Sequence, residues 1–153
     1  MDSTNFRSQN GRFSLTLPAG WEEFDDSEED DTEMTYAFAN NSTEYWSGNF
    51  RITPYRWSDP NVPCGTKTSE FIQGELNDNS EAIKIQIGEL ECAFYTEEDP
   101  DGDEANAYYF WIAGVRDDLF VCSFTIDKEQ KGTGLNSEQL DSVQSILRSL
   151  IIH

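Results

Sequence analysis

Residues 105–115 constrain the fold most, because this run is apolar on both of its alternating faces. Tyr109, Trp111 and Ala113 fall on one side; Tyr108, Phe110 and Ile112 fall on the other. A strand with one buried side carries apolar residues at every second position. A strand apolar at both belongs inside a sheet that is covered above and below. The rest of the chain must therefore supply neighbouring strands and packing elements for two faces.

The neighbours are legible as short alternating segments. Residues 119–126 follow across Arg116-Asp117-Asp118 and read as the hairpin partner. Residues 82–87 (Ile83, Ile85, Ile87) and 90–96 flank Gly88-Glu89, a two-residue hairpin signal. Nearer the N-terminus, residues 11–17 alternate with Phe13, Leu15 and Leu17 on one face. Residues 34–39 place Met34, Tyr36 and Phe38 in phase, and residues 49–55 set Phe50 and Ile52 opposite Arg51 and Thr53.

Helical spacing occurs twice. Residues 67–78 carry Phe71, Ile72, Glu75 and Leu76 on one face, with Thr68 or Ser69 available as the cap. A stronger amphipathic stripe comprises Leu140, Val143, Ile146, Leu147, Leu150 and Ile151, opened by Asn136 or Ser137 as the cap. The order is βββα ββββα. Short turns between consecutive strands imply a largely antiparallel sheet of about seven strands, and two helices packed on it make an α+β layered domain. The 153 residues suit a single domain with its core over 11–151 and an N-terminal extension over 1–10.

Charge is concentrated outside these segments. Of thirty acidic residues, nine fall in 22–33 and six in 97–104, and the formal net charge is −20. No Lys or Arg occurs between Arg12 and Arg51, or between Lys84 and Arg116. Like charges this dense repel one another and have little to bury, so both windows are expected to be loops. The field disfavours nucleic-acid backbones and anionic membranes and favours a basic protein partner. The N-terminal residues lack a signal-peptide pattern and no run is long enough to span a bilayer, which leads to the expectation of a cytoplasmic protein.

Catalytic chemistry is sparse. The one histidine is His153, the last residue, so a Ser-His or Cys-His pair would depend on a chain end. Cys64, Cys92 and Cys122 are odd in number and widely spaced, which fits neither a disulfide framework nor a zinc site. Cys92 lies in phase with Leu90 and Phe94, and Cys122 with Phe120 and Phe124, as small buried hydrophobes do. Asp99, Asp101 and Asp103 match the first alternating ligands of an EF-hand loop. However, Glu104 stands at the glycine position and Phe110 at that of the bidentate glutamate. No cofactor motif is present, and no catalytic or metal-ligating residue is assigned.

The segment Gly11-Arg12-Phe13-Ser14-Leu15-Thr16-Leu17-Pro18-Ala19-Gly20-Trp21 resembles the opening of PsbP-like domains, which pair a short strand with a Pro-x-Gly-Trp turn. The element order over 11–151 and the ending Ser145-Ile146-Leu147-Arg148-Ser149-Leu150 are similar to theirs. The superfamily includes Mog-type Ran-binding proteins and uncharacterised bacterial relatives. The resemblance implies a binding role, as for proteins that dock on a photosystem, bind a small GTPase or hold secreted effectors. It carries over no site residue, and the two acidic windows are not part of its pattern.

The expectation is thus a non-enzymatic protein-binding domain engaging a basic protein, as an immunity-type inhibitor or a secretion chaperone would. Carboxylates of Glu28, Glu29, Asp30, Asp31, Asp99, Asp101 and Asp103 would steer the partner, and Trp46 and Trp57 would supply desolvated contacts. The alternative is a small-ligand or calcium-binding module.

Overall fold

A strand that must be covered twice is placed, in the computed structural model, near the centre of a seven-stranded sheet. The structure describes residues 3–24 and 34–153. Among them the strands are β1 (Thr4–Arg7), β2 (Phe13–Leu17), β3 (Trp21–Phe24), β4 (Tyr36–Asn40), β5 (Asn49–Arg56), β6 (Ile83–Ile87), β7 (Leu90–Glu98), β8 (Asn106–Val115), β9 (Asp118–Asp127) and β10 (Ile151–Ile152). The helices are α1 (Thr66–Asp78) and α2 (Gly134–Arg148). The larger sheet has the order β3-β4-β5-β9-β8-β7-β6 and every pairing in it is antiparallel. A smaller antiparallel sheet has the order β1-β2-β10. The architecture is α+β, as the periodicity implies.

The two faces of the large sheet are covered unequally. On the inner face, β2 and α2 close over Phe38, Phe50, Ile52, Cys92, Trp111, Phe120, Cys122 and Phe124, all essentially inaccessible. Phe13, Leu15 and Leu17 of β2 and Val143, Ile146 and Leu147 of α2 complete that core. This burial of aromatic and aliphatic area is the main stabilising contribution. On the outer face, α1 packs through Ile72 on Ala93, Ile112 and Leu119. Its approach is close because β8 carries Gly114, where a Cβ would stand 2.2 Å from Thr68 Cγ2. Thus the double coverage holds for Ile112 and Ala113, whereas Tyr108 and Phe110, beyond α1, are only partly buried.

Several local expectations are corrected. Thr4–Arg7 is no loose extension: β1 pairs with β2, and Phe6 packs edge-on against Phe38 at 4.9 Å. Glu22 and Glu23, read as loop, lie in β3, because its pairing with β4 brings Trp21 into the core and leaves the acids at the surface. Gly20, at φ +89°, makes the turn that passes the chain from the small sheet to the large one. The α2 cap is Thr133, whose hydroxyl accepts the Asn136 N–H at 3.2 Å; Asn136 itself is buried and accepts the Tyr109 hydroxyl at 3.0 Å. At α1 the cap position is Gly65 with φ +86°, while Thr68 turns inward to Gly114. Ile151 leaves the α2 stripe and is exposed on β10. No described helix is long and apolar enough to cross a membrane.

Candidate partner-binding surface

Strand direction decides where each acidic window is attached. β3 ends at Phe24 and β4 begins at Tyr36, both at the end of the sheet that holds the β8–β9 turn. The β7–β8 connection, which carries the second window, lies at the opposite end. The windows are therefore anchored at opposite ends. Glu28, Glu29, Asp30 and Asp31 lie outside the described residues.

The second window is built into the fold more firmly than a solvated loop would be. Asp99 Oδ2 accepts both the Asn106 N–H and the Tyr108 hydroxyl at 3.0 Å, which closes the connection. Lys128 Nζ donates to the Asp99 carbonyl at 2.9 Å and to Asp101 Oδ1 at 2.5 Å. That hydrogen bond holds the Asp101 carboxyl below its ordinary range and pushes the Lys128 ammonium up. Lys131 reaches Glu98 at 3.0 Å. Asp99 is thus tied into the connection, whereas Asp101 pairs with Lys128 and stays 95% exposed. Asp103, Glu104, Asp127 and Glu129 remain exposed, and with Asp101 and Lys128 they line a cleft of about 620 Å³. Glu104 takes φ +63°, a left-handed conformation that the tight connection imposes.

Trp46 belongs to the same end of the sheet. Its indole donates to Asn49 Oδ1 at 2.8 Å, and its carbonyl accepts from Gln130 Nε2 at 2.8 Å. The second bond ties the β4–β5 loop to the single 3₁₀ turn Lys128–Gln130, which borders the cleft. Tyr45 and Trp46 are 71% and 40% exposed, so two large rings open to solvent sit on the loop that Gln130 ties to the cleft. Trp57, by contrast, lies at the other end of β5 and packs on Phe71 of α1 at 6.1 Å. It is partly buried there, and Trp46 and Trp57 lie at opposite ends of β5.

Sequence reasoning missed the ring row on the outer face. The register aligns Phe24, Ala37, Arg51, Ser123, Phe110 and Tyr95 across six strands. Tyr95 stacks on Phe110 at 5.0 Å, and Phe110 lies 6.2 Å from Tyr108, whose hydroxyl ends on Asp99. The double apolarity of residues 105–115 was the signal for this row. It shows that the rings are there, but not that α1 stops short of them.

Nucleophile geometry is limited. Ser14 Oγ lies 3.0 Å from His153 Nε2 at the surface, fixed because β10 pairs with β2 and the His153 N–H bonds to the Arg12 carbonyl at 2.7 Å. Among the described residues no carboxylate is bonded to that ring to orient it as a general base. Burial pushes the Cys92 thiol up to about 12 and the Cys122 thiol well above its ordinary value. Cys64 is exposed.

No curated protein sequence matches the chain. A crystal structure from Bacteroides thetaiotaomicron VPI-5482 is similar over the whole chain, at 26% identity and a TM-score of 0.76. The chain spans 49% of that protein's length. LpqN of Mycobacterium tuberculosis, described as involved in cell envelope biogenesis, is similar in fold at 9% identity and a TM-score of 0.57, over 99% of this chain and 90% of its own. The cyanobacterial PsbP of Synechocystis sp. PCC 6803 is similar at 8% identity and a TM-score of 0.45, over 99% of this chain and 92% of its own. The Mog-type part of the resemblance finds no support in these likenesses. The match over residues 1–150 is to a domain of unknown function, and by it this chain belongs to the DUF3805 family.

Proposed function

We propose that this domain is a non-enzymatic binding module that engages a basic protein through the acidic end of its large sheet. One observation carries the reading. Gln130 ties the loop bearing exposed Tyr45 and Trp46 to the segment lining the acidic cleft, so ring anchors and carboxylates share one surface. Carboxylates at such a surface speed encounter with a cationic partner, and aromatic residues supply the slow-dissociating contacts. An immunity-type inhibitor or a secretion chaperone fits this division of labour, and salt separates the two. In the immunity case association slows strongly as salt rises from about 50 to 200 mM, whereas in the chaperone case it barely changes.

The test measures association and dissociation rates for a Lys- and Arg-rich peptide with three proteins. These are the wild type, a variant with Asp103, Glu104, Asp127 and Glu129 amidated, and a Tyr45→Ala/Trp46→Ala variant. Amidation should slow association, and loss of the rings should speed dissociation. Rates unchanged in both variants would remove the proposal.

A further inference from the structure

The end of the sheet opposite the acidic cleft holds a cavity of different chemistry. It measures about 350 Å³ and lies between the β6–β7 turn, the β8–β9 turn and the junction of α2 with β10. Its walls include Ile87, Leu90 and Leu147, all nearly inaccessible to solvent. Arg116 and Arg148 stand at its rim.

Two features leave these arginines open to an anion. First, acids outnumber Lys and Arg by 30 to 10, yet among the described residues neither guanidinium has an ion-pair partner. The carboxylates beside Arg116 are engaged elsewhere: Asp117 Oδ1 accepts the Gly65 N–H at 2.8 Å, and Asp118 pairs with Arg56 at 2.7 Å. Second, Arg116 takes φ +54° at the first position of a two-residue hairpin turn. Glycine adopts that conformation without the Cβ clash, so an arginine there holds a long cation over the cavity at a conformational cost. On the facing wall Gly88 takes φ +58°, and a Cβ added there would stand 3.8 Å from Arg148 Cγ. Glu89 also lines the cavity and is exposed.

We propose that this cavity binds a small monoanion with an apolar body, of the class of medium-chain carboxylic acids. Both guanidiniums can bond the carboxylate in the fork geometry that arginine provides. The tail replaces water against Val115, Leu150 and Ile152, which line the cavity and are only partly buried. The volume falls in the lower part of the range for small-molecule sites, which suits a short acid and not a long lipid. Glu89 disfavours dianions at the same rim. The site is independent of the acidic cleft, so either reading survives failure of the other.

The test titrates octanoate, octanol and inorganic phosphate into the full chain, followed by calorimetry and by amide chemical shifts of residues 87–90 and 115–117. Octanoate should saturate and shift those amides, with octanol weaker by at least about tenfold, since charge-assisted bonds are lost. Arg148→Gln and Arg116→Gly should each weaken octanoate by a similar factor. Arg116→Gly also serves as the folding control, because it relieves the turn and should not lower stability. The proposal is overturned by no saturable octanoate binding, by octanol binding equally well, by phosphate competing at equal affinity, or by octanoate binding that both variants retain.

Discussion

Gly114→Ala tests the seating of α1, on which the half-covered outer face depends. Gly114 has an ordinary strand φ, so alanine meets no backbone strain there and the effect is one of packing. Its Cβ would stand 2.2 Å from Thr68 Cγ2 and 2.9 Å from Ile72 Cδ1, neither of which is tolerable. Thr68 and Ile72 are 3% and 2% exposed, and both sit on the helix, so relief requires α1 to lift. Overpacking of this kind costs about 1–3 kcal/mol. Lifting α1 also re-exposes part of Ile72, whose full burial contributes about 1.5–3 kcal/mol. Against this, replacing glycine in a strand returns about 0.5–1 kcal/mol of chain entropy. The net expectation is a loss of about 2 kcal/mol, or about 4–8 °C in Tm for a chain of this size. Urea unfolding measures it, with an unchanged slope as the sign that the native fold is retained. Gly102→Ala is the control, since its Cβ meets nothing within 4 Å. Adding Thr68→Ala to Gly114→Ala removes the nearer obstacle and should recover part of the loss, a coupling that neighbouring sites show and distant ones do not. A Gly114→Ala protein within about 0.5 kcal/mol of wild type would falsify the close helix–sheet contact.

Other consequences are more quickly stated. Thr68 Oγ1 is buried without a hydrogen-bond partner, so Thr68→Val, which keeps the shape, should stabilise by about 1 kcal/mol in the same urea assay. Native protein should react with Ellman's reagent at one thiol, Cys64, slowly because the neighbouring Asp117 carboxylate raises its pKa; Cys92 and Cys122 should react only after unfolding. Asp101 has a depressed folded pKa, so its contribution is present above the ordinary carboxylate range and is lost as pH falls through the depressed value. Carboxyl titration by NMR should show that depression in the wild type and its disappearance in Lys128→Ala.

What was legible in the chain was set by local period. Phe13, Leu15 and Leu17 alternate, and Val143, Ile146 and Leu147 recur at helical spacing, and all six are in the core. Cys92 and Cys122 were placed by phase alone and are fully buried. The misses arise where a tertiary partner overrides a local pattern. Thr4–Arg7 holds one apolar residue, Phe6, and becomes a strand because Phe38 and Tyr36 offer it two ring contacts. Trp21–Phe24 reads as the start of an acidic run, yet one buried indole and an edge pairing hold it in the sheet. Trp46 and Trp57 look equivalent beside the same strand; the strand's length separates them, and the position of α1 gives Trp57 a ring partner, Phe71, that Trp46 lacks.

Strand order also divides what the sequence presents as one acidic property. The windows hold nine and six acids but are anchored at opposite ends of the sheet, so a net charge of −20 need not act as one site. Neutralising the first window and the acidic cleft separately distinguishes a field from a surface. If charge acts only through the overall field, amidating Glu28, Glu29, Asp30 and Asp31 should slow association of a basic peptide as much, per charge removed, as amidating Asp103, Glu104, Asp127 and Glu129. If the cleft beside Tyr45 and Trp46 receives the partner, the second set should dominate, and its effect should survive salt better, because contacts made at short range are screened less. Equal effects per charge would leave solubility and long-range steering as the sufficient account of both windows. A dominant second set would make the Lys128-braced connection the part of the acidity that recognises the partner.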